Sequence, residues 1–255
     1  MDLTNVYIGF ALATFAGLST GIGSLLGLYS KFENKRLLSL ALGFSAGVMI
    51  YVSFMELLLL SFESLVGLYG HTYGQLIGVT AFIAGLLMML FIDQLFDHHS
   101  IADFISRSSN KDESLLVRTG LFSAIALAIH NFPEGFATFT AAVYDPTVGV
   151  TLATAIAIHN IPEGLAVSVP IYYATKNKAK AFWISFASGL AEPLGALVGF
   201  LIFRTVYNEA LFGVSFALCA GIMIYVSLNE LLPVAKEYGK PSDPIIGVTA
   251  GIIVM

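Results

Sequence analysis

The sequence predicts an all-α integral membrane protein of eight transmembrane helices in a 3+2+3 order, with helices 1–3 and 6–8 as inverted-topology repeats around a central helix 4/5 pair. Three observations carry this prediction: the composition, the sidedness of the positive charge, and internal repetition. Of 255 residues, 57% are hydrophobic and 11% charged, with a mean hydropathy of +0.83, whereas a soluble domain carries about 25% charged residues. A single cysteine (Cys219), no basic tract and no low-complexity run exclude a secreted disulfide scaffold, a nucleic-acid binder and a disordered chain.

Apolar windows of about 20 residues, enough to cross about 30 Å of hydrocarbon, fall at 6–29, 37–61, 74–95, 119–142, 147–172, 181–203, 211–233 and 244–255. The last holds only 12 residues, about 18 Å of helix, so the chain reads as clipped at its C-terminus. Met1-Asp2-Leu3-Thr4-Asn5 lacks the positive region that opens a signal peptide, and the first span is expected to be retained. With the N-terminus outside, 11 of the 12 Lys and Arg residues fall in cytoplasmic loops and only Arg204 falls outside. One missed span would scramble that alternation. No linker divides the chain, so 1–255 reads as one domain with a single longer cytoplasmic loop, roughly 96–118.

The repeats set the order of the helices. Ala46 to Leu58 in the second span matches Ala220 to Leu232 in the seventh at 10 of 13 positions. Gly17-Leu18, Gly23, Leu25 and Gly27 of the first span correspond to Gly189-Leu190, Gly195, Leu197 and Gly199 of the sixth, and Ile77 to Ala81 recurs as Ile246 to Ala250. Equivalent spans are five apart, an odd number, so the two triplets cross in opposite senses. The two central spans are also copies, Ala128 to Ala137 matching Ala157 to Ala166 at 8 of 10 positions.

That central copy carries the polar residues. His130 and Glu134 stand four residues apart and share one helix face, as do His159 and Glu163, so each pair can grip one ion. With Glu192 of the sixth span they fall near one depth, the bilayer midplane. A carboxylate there costs roughly 2.5–3.5 kcal/mol, so three would cost about 8–10 kcal/mol without compensation. No Lys or Arg lies in a span to provide it. Two imidazoles, three carboxylates and the amides of Asn131 and Asn160 form a nitrogen and oxygen set suited to Zn2+, Fe2+ or Mn2+, which makes a divalent metal the expected counter-charge.

Pro133, Pro162 and Pro193 each withhold an amide proton, so breaks are expected in all three helices, with the carbonyls of Ile129, Ile158 and Gly189 freed to line a hydrated path. Glu56 and its repeat mate Glu230, with Asn229 beside it, are expected as entrance and exit carboxylates. Asp93, Asp97, His98, His99 and Asp103 cluster at the cytoplasmic mouth of the third span and could receive an emerging cation, although His98 and His99 also read as a solvated loop pair. A lone intramembrane histidine is most often a packing residue, but here it comes twice, each time with a glutamate on its face. The glycines of spans 1 and 6 are expected to permit close helix packing, and Cys219 reads as a small buried apolar residue.

In the doubled His-Asn-x-Pro-Glu-Gly at 130–135 and 159–164, together with Ala191-Glu192-Pro193, the chain resembles the ZIP metal-ion transporters, and within them the bacterial ZupT-type branch. The resemblance covers the whole chain. It implies one metal site from His130, Glu134, His159 and Glu163, and a second from Asn131, Asn160 and Glu192 sharing Glu134 and Glu163. It also implies uptake of Zn2+, and in this branch Fe2+, Mn2+, Co2+ or Cd2+, across the inner membrane into the cytoplasm, without a cofactor. The third loop offers only His98-His99 where many eukaryotic members carry long histidine runs, which argues against a loop-based zinc sensor. The expected motion is of the helix triplets against the central pair. Divalent metal ions and the bilayer are the expected partners, nucleic acid is not, and a homodimer is left open. Two rivals stand beside uptake: an intramembrane metal-dependent hydrolase, against which neither motif is His-Glu-x-x-His, and a channel for the same ions.

Overall fold

The computed structural model describes residues 2–29, 35–95, 111–206 and 208–255, all of whose regular structure is helical. Helix α1 is Leu3–Tyr29. Helix α2 is Lys35–Tyr51, continued by a π-helical segment, Val52–Leu57, and by residues 58–69. Gly70, at φ 76° and ψ 168°, then reverses the chain into α3, residues 71–95. Only glycine takes that conformation without strain. Next come α4 (Lys111–Tyr144) and α5 (Pro146–Thr175). Helix α6 is Lys178–Gly189 followed by Ala191–Thr205. Helix α7 is Glu209–Val226 with a π-helical Ser227–Leu231 and Leu232–Tyr238, and α8 is Asp243–Val254. Among the described residues five apolar stretches, Leu3–Tyr29, Lys35–Gln94 (which spans α2 and α3), Pro146–Val169, Lys178–Thr205 and Glu209–Tyr238, are long enough to cross a membrane, and Asp243–Val254 is a shorter apolar helix.

Side-chain caps set the turns. Asp145 accepts from Thr147 N at 2.7 Å with Pro146 at the first helical position, so α4 passes into α5 through one residue. Asn177 accepts from Lys180 N at 3.0 Å and Asn208 from Ala210 N at 2.8 Å, starting α6 and α7.

The helix interiors differ from the sequence expectation in two ways. First, α4 and α5 run through Pro133 and Pro162 without interruption, and only α6 is broken, at Leu190, whose N–H bonds to the Ala187 carbonyl at 3.2 Å. One missing donor does not end a packed helix. In α6 the proline at 193 withholds the donor from Gly189, itself a poor helix former, and the two effects coincide. Second, α2 and α7 each contain a π-helical segment, at matching places in the repeat. Ser53 Oγ donates to Met49 O and Ser227 Oγ to Met223 O, both at 2.7 Å, so a hydroxyl bonds back to the preceding turn where each segment begins.

Packing cuts across the sequence triplets. Helices α1, α4, α5 and α6 pack on one another; in a second group α7 packs on α3 and on α2, and α2 on α8; and the two bundles meet through α2 on α5 and α4 on α7. The packing units are therefore two four-helix groups rather than triplets flanking a central pair. Glycines explain why. In the first bundle Gly17 backs on Gly189, Gly23 on Ile161, Gly164 on Thr20, Gly135 on Glu192 and Gly195 on Phe132. In the second, Gly43 backs on Pro244, Gly47 on Val248, Gly85 on Leu218 and Gly221 on Phe82. At each of these a methyl group would fall inside contact distance of main-chain atoms, so backbones meet within each bundle. A clasp at one end adds to the second bundle, where Arg36 Nε lies 3.2 Å from Asp243 Oδ1.

Gly23→Ala should therefore destabilise the protein in detergent by about 1–3 kcal/mol, the usual cost of overpacking. Gly67→Ala, where a Cβ meets nothing within 4 Å, should be neutral or slightly stabilising. Thermal unfolding of the two variants beside the parent checks this.

Candidate metal centre

Antiparallel packing of α4 on α5 sets residue i of one helix opposite residue i+4 of the other. His130 and Glu134 share a face, and so do His159 and Glu163, but the bonds run crosswise between the helices. His130 Nε2 lies 3.4 Å from Glu163 Oε2, and His159 Nε2 lies 3.2 Å from Glu134 Oε1. All four side chains are sealed from solvent, with exposures of 4% for His130, 1% for Glu163 and 0% for Glu134 and His159.

Glu192, 0% exposed, enters from the second half of α6. Gly135 packs directly on its backbone, which holds α6 against the α4 motif. Its Oε1 accepts from Asn160 Nδ2, which also donates to Ala16 O at 3.0 Å. Asn131 Nδ2 donates to Ser188 O at 3.3 Å. Each asparagine thus spends its N–H on a neighbouring helix and turns its oxygen inward. Asn131 Oδ1, Asn160 Oδ1, Glu134 Oε2 and Glu192 Oε2 are buried acceptors that no donor satisfies. Each such atom costs about 1–3 kcal/mol when left unpaired.

The separations suit a metal ion. Two ligand atoms about 2.05 Å from a tetrahedral Zn2+ stand about 3.3 Å apart, close to the 3.2 and 3.4 Å of the crossed pairs. As they stand, no three His, Cys, Asp or Glu side chains among the described residues are in ligating geometry, because imidazoles and carboxylates are bonded to each other. Small rotations would exchange those bonds for bonds to one ion.

Glu230, 19% exposed, joins the group: its Oε2 lies 3.5 Å from His130 Nδ1. Glu56, half-buried in the π-helical segment of α2, has no hydrogen bond to the group. Asp93 and Asn229 come together away from it, at the end of α3. Asp93 Oδ2 accepts from Tyr225 OH at 2.7 Å and from Asn229 Nδ2 at 3.1 Å. His98 and His99, with Asp97 and Asp103, lie outside the described residues.

Three participants escape sequence reading. Ser45 Oγ of α2 lies 3.3 Å from both Glu163 Oε1 and His159 O. Cys219 Sγ of α7 donates to Pro133 O at 3.7 Å, so this buried residue is more than apolar filling. Tyr225 completes the Asp93 cluster. Ser45 and Cys219 immediately precede the two copies of the repeated stretch, and that shared position was the available signal.

Apolar helices around a sealed group of nitrogen and oxygen side chains define an all-helical membrane protein. Comparison with known proteins gives the family: residues 97–255 match the ZIP zinc transporter family, and the chain belongs to it. Among curated relatives, zinc transporter ZupT of Chlorobium chlorochromatii is 51% identical, over 98% of this chain and 96% of its own length. The ZupT proteins of Oceanobacillus iheyensis and Campylobacter jejuni are 47% and 44% identical, covering 99% and 98% of this chain and 97% and 94% of their own. Membership of a transporter family sets aside the hydrolase reading, and in such a family a metal ion is cargo rather than cofactor.

In the metal-free protein, a double-mutant cycle on unfolding free energy with His130→Gln and Glu163→Gln should give a coupling of about 1–2 kcal/mol. The same cycle on His130 and Glu134, neighbours along one helix, should give less than half of that. Equal couplings would show that the crossed pairing is wrong.

Proposed function

We propose that the protein carries Zn2+ across the bacterial inner membrane into the cytoplasm, and that the crossed His/Glu quartet is where the ion sheds its water. The observation that carries the reading is the ligand set itself: two imidazoles and two carboxylates at ligand-to-ligand separation, fully buried. Relatives named as zinc transporters support the cargo. His130, Glu134, His159 and Glu163 form one site. Asn131, Asn160 and Glu192, sharing Glu134 and Glu163, form a second, which the donorless oxygens of both asparagines and of Glu192 support. The same nitrogen and oxygen donors suit Fe2+, Mn2+, Co2+ and Cd2+, so these compete for the centre.

The protein crosses the membrane eight times with its N-terminus outside, the two triplets forming inverted repeats. Paired contacts support the repeats: Asn160 reaches Ala16 as Asn131 reaches its mate Ser188, and Gly164 backs on Thr20 as Gly135 backs on its mate Glu192. Orientation rests on charge. Lys35, Arg36, Lys176, Lys178, Lys180, Lys236 and Lys240 all lie at or beside the ends where α1, α5 and α7 finish and α2, α6 and α8 begin, whereas Arg204 lies at the other end of α6. Transport moves one glycine-stitched bundle against the other, carrying the centre past the face of α2 and α7. Glu56 guides the ion on the outer side, and Glu230, Asn229 and Asp93 on the inner side, with the loop holding His98 and His99 beyond. A potential of 100 mV, negative inside, favours entry of a divalent ion by about 4.6 kcal/mol. Saturating flux would separate this carrier from a channel, and the assembly, homodimer or otherwise, is read by mass in detergent.

In cells lacking their own zinc uptake, the parent chain should accumulate Zn2+, with Fe2+ and Mn2+ competing. Glu134→Ala and Glu163→Ala should each lose at least about nine-tenths of uptake, consistent with losing roughly 1.4 kcal/mol or more of ion stabilisation, while still inserting. Parental flux in both variants would refute the site.

A further inference from the structure

Among the described residues, three buried side-chain atoms without a hydrogen-bond partner lie outside the proposed ligands: the hydroxyls of Thr20, Ser61 and Thr138. Only Thr20 stands at the repeat position of a ligand. Gly17 of α1 pairs with Gly189 of α6 in the repeat, so Thr20 pairs with Glu192. The contacts around the centre follow that pairing. A Cβ on Gly17 would lie 3.5 Å from Glu192 Cβ, and one on Gly189 would lie 3.0 Å from Thr20 Cβ and 3.1 Å from its Oγ1. Gly135 of α4 packs on the backbone of Glu192, and Gly164 of α5 packs on that of Thr20. Thr20 and Glu192 therefore take equivalent places where α1 and α6 meet the central pair, one with a hydroxyl and the other with a carboxylate.

A threonine inside a helix commonly bonds back to the carbonyl four residues earlier, as Thr14 does to Phe10 O and Thr140 to Phe136 O, both at 2.7 Å. For Thr20 that acceptor is Ala16 O, which already receives Ser19 Oγ at 2.6 Å and Asn160 Nδ2 at 3.0 Å. A carbonyl has two lone pairs, so the back-bond is closed to Thr20. One of the donors that close it is a proposed ligand: Asn160 grips α1 one turn from Thr20, while its own Oδ1 stays without a donor. Thr20 is fully buried, and a hydroxyl left so is unfavourable unless something fills its place. We propose that Thr20 Oγ1 supplies an oxygen, directly or through one bound water, to the ion held by Asn131, Asn160 and Glu192. Being neutral, it adds an oxygen without a fourth carboxylate to bury. The inference rests on the second metal site proposed above and adds to it a residue from α1.

Titration of the purified full-length protein with Zn2+ alone tests it, reading stoichiometry and both dissociation constants beside thermal unfolding of the metal-free protein. The parent should bind two ions, and Glu192→Gln, which alters a proposed ligand, identifies the constant that belongs to the second site. Thr20→Val keeps the shape and removes the hydroxyl. It should weaken the second site by about tenfold or more, the usual penalty for losing a group that supports a bound ion, and leave the first unchanged. Its metal-free Tm should match the parent or rise by a few degrees, because an apolar group replaces an unpaired polar one. Thr20→Ser, which keeps the oxygen, should recover most of the lost affinity. A purely structural role gives a different pattern, a lower Tm with both sites weakened together. That pattern, or a Thr20→Val variant that binds like the parent while Glu192→Gln loses the second site, would overturn the role of Thr20 and leave the second site standing. A parent that binds a single Zn2+, or Glu192→Gln with both constants unchanged, would refute the second site, and the role of Thr20 would fall with it.

Discussion

Everything in this fold answers to three buried carboxylates halfway along apolar helices with no lysine or arginine beside them among the described residues. Glu134, Glu163 and Glu192 are as sealed as the phenylalanines of the core, and their cost would be prohibitive were they isolated. Two imidazoles and one amide offset part of it through the crossed pairs and the bond from Asn160 to Glu192. Several acceptor atoms remain without donors. A group of ligands that is only partly satisfied by itself is suited to binding a cation and releasing it again, whereas one fully satisfied by protein donors would have no reason to let an ion in.

The same constraint explains the glycines. To hold carboxylates in register without a water-filled cleft, the helices that carry them must approach to backbone contact, and the His-Asn-x-Pro-Glu-Gly motif ends on the residue that allows it: Gly135 against α6 and Gly164 against α1. Backbone contact also makes each bundle stiff. The second bundle is stitched by glycines of its own, and between the bundles the centre is met by side chains, Ser45, Cys219 and Glu230. Stiff bodies joined by exchangeable side-chain contacts can shift relative to one another without unfolding.

Much of this was legible in the sequence because membrane helices leave broad signals. Apolar windows located the helices to within a few residues at most ends, and the doubled motif singled out the residues that α4, α5 and α6 bring together. What escaped was set by tertiary geometry. The crossed pairing follows from antiparallel packing of α4 on α5, which helical spacing alone does not show. The π-helical segments of α2 and α7 carry serine hydroxyls bonded one turn back, but so do ordinary α-helical turns at Thr14 and Thr80, so the hydroxyl alone does not mark them. Proline marked three expected breaks, but only Pro193, acting with Gly189, interrupts its helix. The repeats do not show which helices pack together, which was decided by which glycines face a neighbouring backbone.

The most direct test is X-ray absorption at the zinc edge on the purified protein loaded with Zn2+. The account predicts a first shell of nitrogen and oxygen near 2.0–2.1 Å with the outer-shell scattering of two imidazoles, lost when His130 and His159 are both replaced by alanine. A sulfur-containing shell, or a spectrum unchanged in that double variant, would contradict it.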